Sequence, residues 1–302
     1  MKVKTLMKYL TVLLIATFFM LNEKLLSQVN SDQAALERTN FLNKDWNKLK
    51  QKKGSFYVHW GYNRSYYRNA DIHFKGKGFD FTLGDVSAHD VPEEFDAKIY
   101  LNPVKLTIPQ FNFRMGYYLD DHYSVSLGWD HMKYRITEYQ QVSIDGYIDE
   151  EISEEYGQVY SNQNIILTPG FVRFEHSDGN NFVRVAIERQ DVLKASKNNR
   201  LRLENLIGLS LGLAVPWTDD HLFGVRYTNK IHIAGWGTSA LLGLRANYGN
   251  HIYLQYRFQI GYLNLTDILI QDDLDSRAAH DIKFTEMAIA LGYNFHIKRK
   301  NK

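Results

Sequence analysis

The sequence predicts an all-β protein, an antiparallel transmembrane β-barrel of eight strands, with ten strands as the alternative. Three observations predict it. From Gly54 onward apolar residues recur at every second position, so each run has one apolar face and one polar or small face. Many runs exceed the ~5–6 residues usual for soluble strands and reach the ~9–11 that a tilted strand needs to cross a bilayer. Tyrosine and tryptophan recur near run ends, at Trp60, Tyr62, Tyr118, Tyr123, Trp129, Tyr248 and Tyr262, as an aromatic girdle requires. Alternation alone fits a soluble sandwich equally well; run length and aromatic placement favour the membrane. A mean hydropathy of −0.38 fits a barrel with a polar lining and long loops.

The elements follow in chain order. "MKVKTLMKYL" places Lys2, Lys4 and Lys8 ahead of the apolar run "TVLLIATFFML", and Ser27 follows a polar stretch. This is the pattern of a secretory signal, expected over 1–28. The alternative, a single membrane anchor, needs a run of ~20 apolar residues. Residues 29–54 are expected to form a short periplasmic extension. Leu36, Phe41, Leu42, Trp46 and Leu49 give it a loose helical stripe, and a disordered leader is the alternative. The barrel is expected over 55–297, and a basic tail over 298–302.

Within the barrel, strands are expected at about 55–67, 109–119, 122–137, within 167–191, at 200–215, in "WGTSALLGLRANY", in "IYLQYRFQIGY" and at 284–297. Long and short connections alternate. The tight ones are Asp120–Asp121–His122, "DVLKASKNN" and "YGNH". That parity matches barrels with short periplasmic turns and long outer loops, and splitting 171–190 into two strands breaks it. The segment 68–108 and the acidic segment after residue 137 are read as outer loops, and "FKGKGFDF" (74–81) as a loop with backbone bends.

An eight-stranded interior is just wide enough for side chains to fill. Arg114, Arg184, Arg245 and Arg257 fall on inward positions, with Asp130, Glu188 and Glu286 as candidate partners. Charges at membrane depth pair or meet water, so a plugged, salt-bridged lumen is expected, with a narrow polar conduit as the alternative.

One stretch, "FVRFEHSDGNNFVRV" (171–185), sets His176, Ser177 and Asp178 side by side. Val172 and Phe174 put even positions on the apolar face; Val183, Val185 and Ile187 put odd positions there. That change of phase predicts a bulge or turn, and "SDGNN" has the composition for one. A polar binding role at the rim and a hydrolase are the alternatives to a structural break. Adjacent residues on a strand point to opposite faces, so His176 and Ser177 converge only in a turn.

Other chemistries have less to stand on. Asp145, Asp149, Glu150, Glu151, Glu154 and Glu155 crowd one segment, and Asp272, Asp273, Asp275 and Asp281 another. Neither has the spacing of a full EF-hand, so solvated loops are preferred to a Ca²⁺ or Mg²⁺ site, with Asp272, Asp273 and Asp275 the weak metal candidates. The chain lacks cysteine, which excludes disulfides, thiolate metal sites and a lipidated cysteine. With 36 basic against 34 acidic residues, it has no bulk electrostatic case for nucleic acid.

Three stretches together resemble a largely uncharacterised family of outer-membrane β-barrel proteins of Gram-negative bacteria. They are "YNRSYYRNADIHFKGKGFDFTLGDVSAHD", "LTIPQFNFRMGYYLDDHYSVSLGWDHMKY" and "FEHSDGNNFVRVAIER". The resemblance runs from about residue 55 to 297. It implies the barrel and the outer membrane and brings no activity. Such barrels often end on an aromatic residue, whereas here Ile297 and "KRKNK" follow Phe295. The expected function is an integral outer-membrane barrel with a structural, surface-interaction or lipid-facing role and no enzymatic activity. The expected partners are outer-membrane lipid, lipopolysaccharide and the barrel-assembly machinery, with no cofactor. The alternatives are a lipid A-modifying hydrolase and a soluble secreted barrel that binds an apolar ligand.

Overall fold

The computed structural model describes residues 52–100, 102, 105, 108–197, 199–228, 231–271 and 275–295, without the side chains of Asp178 and Thr228. The expected signal peptide, the extension up to residue 51 and the basic tail lie outside the described residues.

Eight strands form a closed antiparallel ring. In chain order the strands of the chain are β1 (Phe56–Tyr67), β2 (Ala70–Gly76), β3 (Phe79–Val86), β4 (Ala88–His89), β5 (Phe111–Tyr118), β6 (Tyr123–Ile136), β7 (Gln141–Ile148), β8 (Gln158–Ile166), β9 (Val172–Ala195), β10 (Leu201–Pro216), β11 (Asp219–Leu222), β12 (Val225–Thr228), β13 (Gly235–Tyr248), β14 (Ile252–Leu269) and β15 (Arg277–Phe295). A short helix, α1 (Ala97–Tyr100), precedes β5. The ring runs β1-β5-β6-β9-β10-β13-β14-β15 and closes where β1 pairs β15, from Phe56↔Phe295 to Tyr67↔Phe284. These are the eight expected strands, and the region around 171–190 is one strand and not two.

Short turns follow β5, β9 and β13. At the first, Asp120 Oδ1 accepts the backbone N–H groups of His122 and Tyr123 at 2.7 and 2.6 Å. That side-chain acceptor is why an aspartate at this position closes the hairpin.

The segments expected as outer loops carry strands. β2 pairs the start of β15, and β3, β7 and β8 follow in order beyond it. β11 pairs the first residues of β9, and β12 pairs β11. "FKGKGFDF" is therefore a hairpin rather than a bent loop. Gly78, at φ +80°, makes its turn, and Phe74, Phe79 and Phe81 are buried. The period of two in Phe79, Phe81 and Leu83 gives one apolar face, which needs a partner surface.

That surface is the outer part of the barrel wall. Ile72, Phe74, Phe81 and Leu83 pack in one cluster with Tyr134, Phe171, Phe174, Leu265 and Ile282. The cluster closes the outward end of the barrel with an apolar core.

The change of phase expected on β9 is corrected by its burial. Even-numbered residues face inward along the strand: Phe174 and His176 above, Phe182, Arg184, Glu188 and Gln190 below. The side chains do not switch faces. What changes is the solvent: the interior is apolar in the outer region and polar in the membrane region, and the outside is the reverse. The expected irregularity is nevertheless present. On β6 the register passes from Met132↔Asn180 to Tyr134↔His176, so β9 carries two extra residues between those rungs. An insertion of two preserves side-chain parity, where an insertion of one would reverse it. Gly179, at φ +144°, lies in this bulge.

Candidate functional site

The candidate site is the barrel interior. All seven expected lumen residues, Arg114, Asp130, Arg184, Glu188, Arg245, Arg257 and Glu286, are buried there. Each sits at an inward position of its strand, and ring closure brings together residues far apart in sequence.

Asp130 on β6 is the centre of one network. Its Oδ1 is 2.7 Å from Arg114 Nη1, and its Oδ2 is 2.7 Å from Arg184 Nη2. Asn112 Nδ2 donates to Asp130 Oδ1 at 2.6 Å and to Glu286 Oε1 at 3.0 Å, so one amide holds two carboxylates apart. Arg184 also donates to Ser210 at 2.8 Å and to Gln259 Oε1 at 2.5 Å. Gly128 faces this network, and a Cβ there would fall on the Arg114 guanidinium. The wide side chain is admitted because the neighbouring strand presents none.

A second pair joins Arg257 Nη2 to Glu188 Oε1 at 2.8 Å. Arg245 is different. Its partners are neutral: Gln255 Oε1 at 2.8 and 3.0 Å, Tyr118 Oη at 2.7 Å and Gln190 Oε1 at 2.9 Å. The Tyr253 ring lies 4.1 Å from its guanidinium carbon, a cation–π contact between two buried side chains. At the mouth on the short-turn side Lys52 Nζ reaches Glu204 Oε1 at 2.8 Å. Asp121 Oδ1 accepts the backbone N–H of Lys52 at 2.8 Å and so fixes the chain that enters there.

Sequence reasoning missed the neutral partners Asn112, Gln190, Gln255 and Gln259, and the pair Lys52–Glu204. Tyr118, expected in the aromatic girdle, instead turns inward and is buried against Arg245. All five stand at alternating inward positions, a signal that was readable. Their partners depend on the stagger between strands, which was not.

His176 is inside the apolar core, not in the lumen network. Its Nδ1 is 3.0 Å from Thr218 Oγ1, and its Nε2 is 3.4 Å from His280 Nε2. Burial in apolar surroundings holds both imidazoles neutral, that of His280 lowered to about 3 and that of His176 well below the usual range. Ser177 stands next in the strand and is half-buried. The backbone of Asp178 lies in the bulge. The structure thus places His176 with Thr218, His280 and Tyr134, not with Ser177.

Of the weak metal candidates, Asp275 is exposed, and Asp272 and Asp273 lie outside the described residues. Among the described residues, no group of three or more His, Cys, Asp or Glu side chains is arranged to hold a metal ion. Asp145 Oδ1 accepts the N–H of Asn162 at 3.1 Å and so belongs to the β7–β8 pairing.

The outward face completes the geometry. Leu209, Leu211, Leu254 and Leu291 are 63%, 63%, 53% and 62% exposed. Phe56, Tyr117, Tyr123, Tyr248, Tyr293 and Phe295 ring the short-turn end, and Trp129, Trp236 and Tyr262 stand at the other. A closed antiparallel ring with this belt leaves none of its eight strands as a free sheet edge within the belt and presents apolar atoms to lipid. The chain is therefore an integral β-barrel of the outer-membrane class.

No family model matches the chain, and no curated protein matches it. Solved structures similar to it include the outer membrane protein OprG from Pseudomonas aeruginosa, at 12% identity and a TM-score of 0.36 over 82% of this chain and 98% of that one. Ail, the attachment invasion locus protein of Yersinia pestis, is similar at 12% identity and a TM-score of 0.30 over 80% and 99%. The outer membrane protease OmpT from Escherichia coli is similar at 9% identity and a TM-score of 0.30 over 82% and 99%.

Proposed function

We propose that this outer-membrane barrel is closed to solute flow and acts through its surfaces: the lipid-facing wall and the strand-built region outside the membrane. One observation carries the reading. Arg114, Asp130 and Arg184 form an ion-paired layer inside the ring with no more than 1% exposure each, and Phe74, Phe81 and Phe174 belong to the buried apolar cluster of the outer region. Its partners are then outer-membrane lipid and lipopolysaccharide, with the barrel-assembly machinery needed for insertion. The position of His176 gives the hydrolase alternative no support, because its imidazole faces a phenylalanine–tyrosine core and not Ser177.

Reconstitution in a planar lipid bilayer tests the reading. The whole protein is expected to give no sustained single-channel conductance. A double variant, Arg114→Ser with Arg184→Ser, is expected to leak if it folds. A stable open level in the unaltered protein would overturn the closed-lumen reading.

A further inference from the structure

The lipid-facing wall is not uniform. Between β9, β10, β13 and β14 the outward residues leave a groove of about 550 Å³. Two register rows build it. One row is Arg189, Ile207, Leu242 and Phe258; the other is Ile187, Leu209, Ala240 and Ile260. Ala240 is the small member, standing between Leu209 and Ile260, so the wall is indented there. Four strands at ~4.8 Å spacing make such a row about 15 Å long, comparable to most of an acyl chain.

The two ends of the groove differ chemically. At one end Arg189 pairs Tyr123, the first residue after the periplasmic turn, so this end lies at the inner headgroup level. Asp191 holds the Arg189 guanidinium with both oxygens, Oδ2 accepting from Nε at 2.8 Å and Oδ1 from Nη2 at 3.2 Å, and Oδ1 is also 2.8 Å from His122 Nδ1. Arg189 Nη1 reaches only Tyr123 Oη at 3.4 Å. The Arg189 and Asp191 side chains are 50% and 31% exposed. The other end, Phe258 and Ile260, is apolar and climbs into the bilayer.

We propose that this groove is a phospholipid site selective for a zwitterionic head that carries a phosphate and a primary ammonium, as in phosphatidylethanolamine. The proposal rests on the lipid-facing reading above and is independent of whether the lumen is closed. The acyl chain lies along the two rows, in the dent over Ala240. The phosphate meets Arg189, and the ammonium meets Asp191. An ion pair matches such a head at both charges. An anionic head with only a phosphate gains the arginine but faces the aspartate, which disfavours it.

Native mass spectrometry tests this. The whole protein is released from bilayer discs of equimolar phosphatidylethanolamine and phosphatidylglycerol. One phosphatidylethanolamine is expected to stay bound with roughly tenfold preference. Ala240→Trp fills the dent from the lipid side, and heat-modifiable gel mobility shows whether the variant folds. It is expected to cut retention about tenfold, and Asp191→Asn to erase the preference between the two lipids. Equal retention of both lipids, or retention unchanged in folded Ala240→Trp, overturns the proposal. So does a second copy of the chain as the species that Ala240→Trp displaces. Conductance measured on the same sample reports separately on the closed lumen.

Discussion

The strand β9 passes through two environments, and its two halves invert each other. In the membrane region Arg184 and Glu188 point inward and Val185 and Ile187 point outward. In the outer region Phe174 points inward, and on the opposite face Arg173 pairs Glu138 while Glu175, itself buried, pairs Arg135. The backbone parity is the same in both. Lipid takes up apolar atoms, so in the membrane region the polar face goes to the lumen and must be satisfied there. Water takes up polar atoms, so in the outer region the apolar face goes inside. A barrel can be built from one continuous set of strands and still hold two cores of opposite chemistry.

Mutations can separate the two cores. The largest effect is expected in the lumen. Asp130→Ala leaves Arg114 and Arg184 buried without their shared carboxylate, a loss of about 3–5 kcal/mol in urea unfolding from micelles. A cost near that of a surface change would mean that water or Gln259 replaces the carboxylate. In the outer core Phe81→Ala is expected to cost about 3–5 kcal/mol, confined to that region. Limited proteolysis should then cut the β2–β3 and β7–β8 hairpins while the eight-stranded ring keeps its heat-modifiable mobility. Simultaneous loss of both would show that the two cores fold as one unit.

A paired substitution sharpens the contrast between the outer faces. Leu254→Arg in the lipid belt is expected to cost about 2–4 kcal/mol near the midplane. Val159→Arg, at a residue 77% exposed on β8, is expected to change stability by less than about 0.5 kcal/mol. Equal costs at the two sites would remove the case for a lipid boundary between them.

The smallest expected effect is pH dependence of the outer core. His176 and His280 have lowered pKa values in the folded protein, that of His280 about 3. Below about 6.5 the unfolded chain takes up protons that the folded core refuses. The contribution is therefore full above that pH and is lost as pH falls toward the folded values. Proteolytic protection of the outer region should weaken between pH 7.5 and 4.5, and His280→Phe should reduce that slope.

Much of the architecture was legible in the sequence. Period-two alternation located seven of the ring strands, the parity of the connections placed the fourth within 167–191, and the pattern put Arg114, Arg184, Arg245 and Arg257 on inward positions. The same period was present in Phe79, Phe81 and Leu83 and in Val142 and Ile144, yet these were read as loop. They lie among charges and glycines, where long outer loops were expected. The sequence also suggested a reversal of faces on β9. It had registered the change of solvent along the strand, which mimics a change of direction when only the pattern of apolar residues is seen.

By itself, then, the sequence determined the alternation of faces and the charges on inward positions and favoured eight ring strands over ten, because these depend on local period and on connection length. The tertiary structure decided which charge meets which partner. Arg245 meets glutamines and tyrosines rather than an acid, and Asn112 joins Asp130, 18 residues on, to Glu286, 174 residues on. It also decided that His176 is a core residue. Those outcomes depend on the stagger between strands and on ring closure, neither of which any single strand carries.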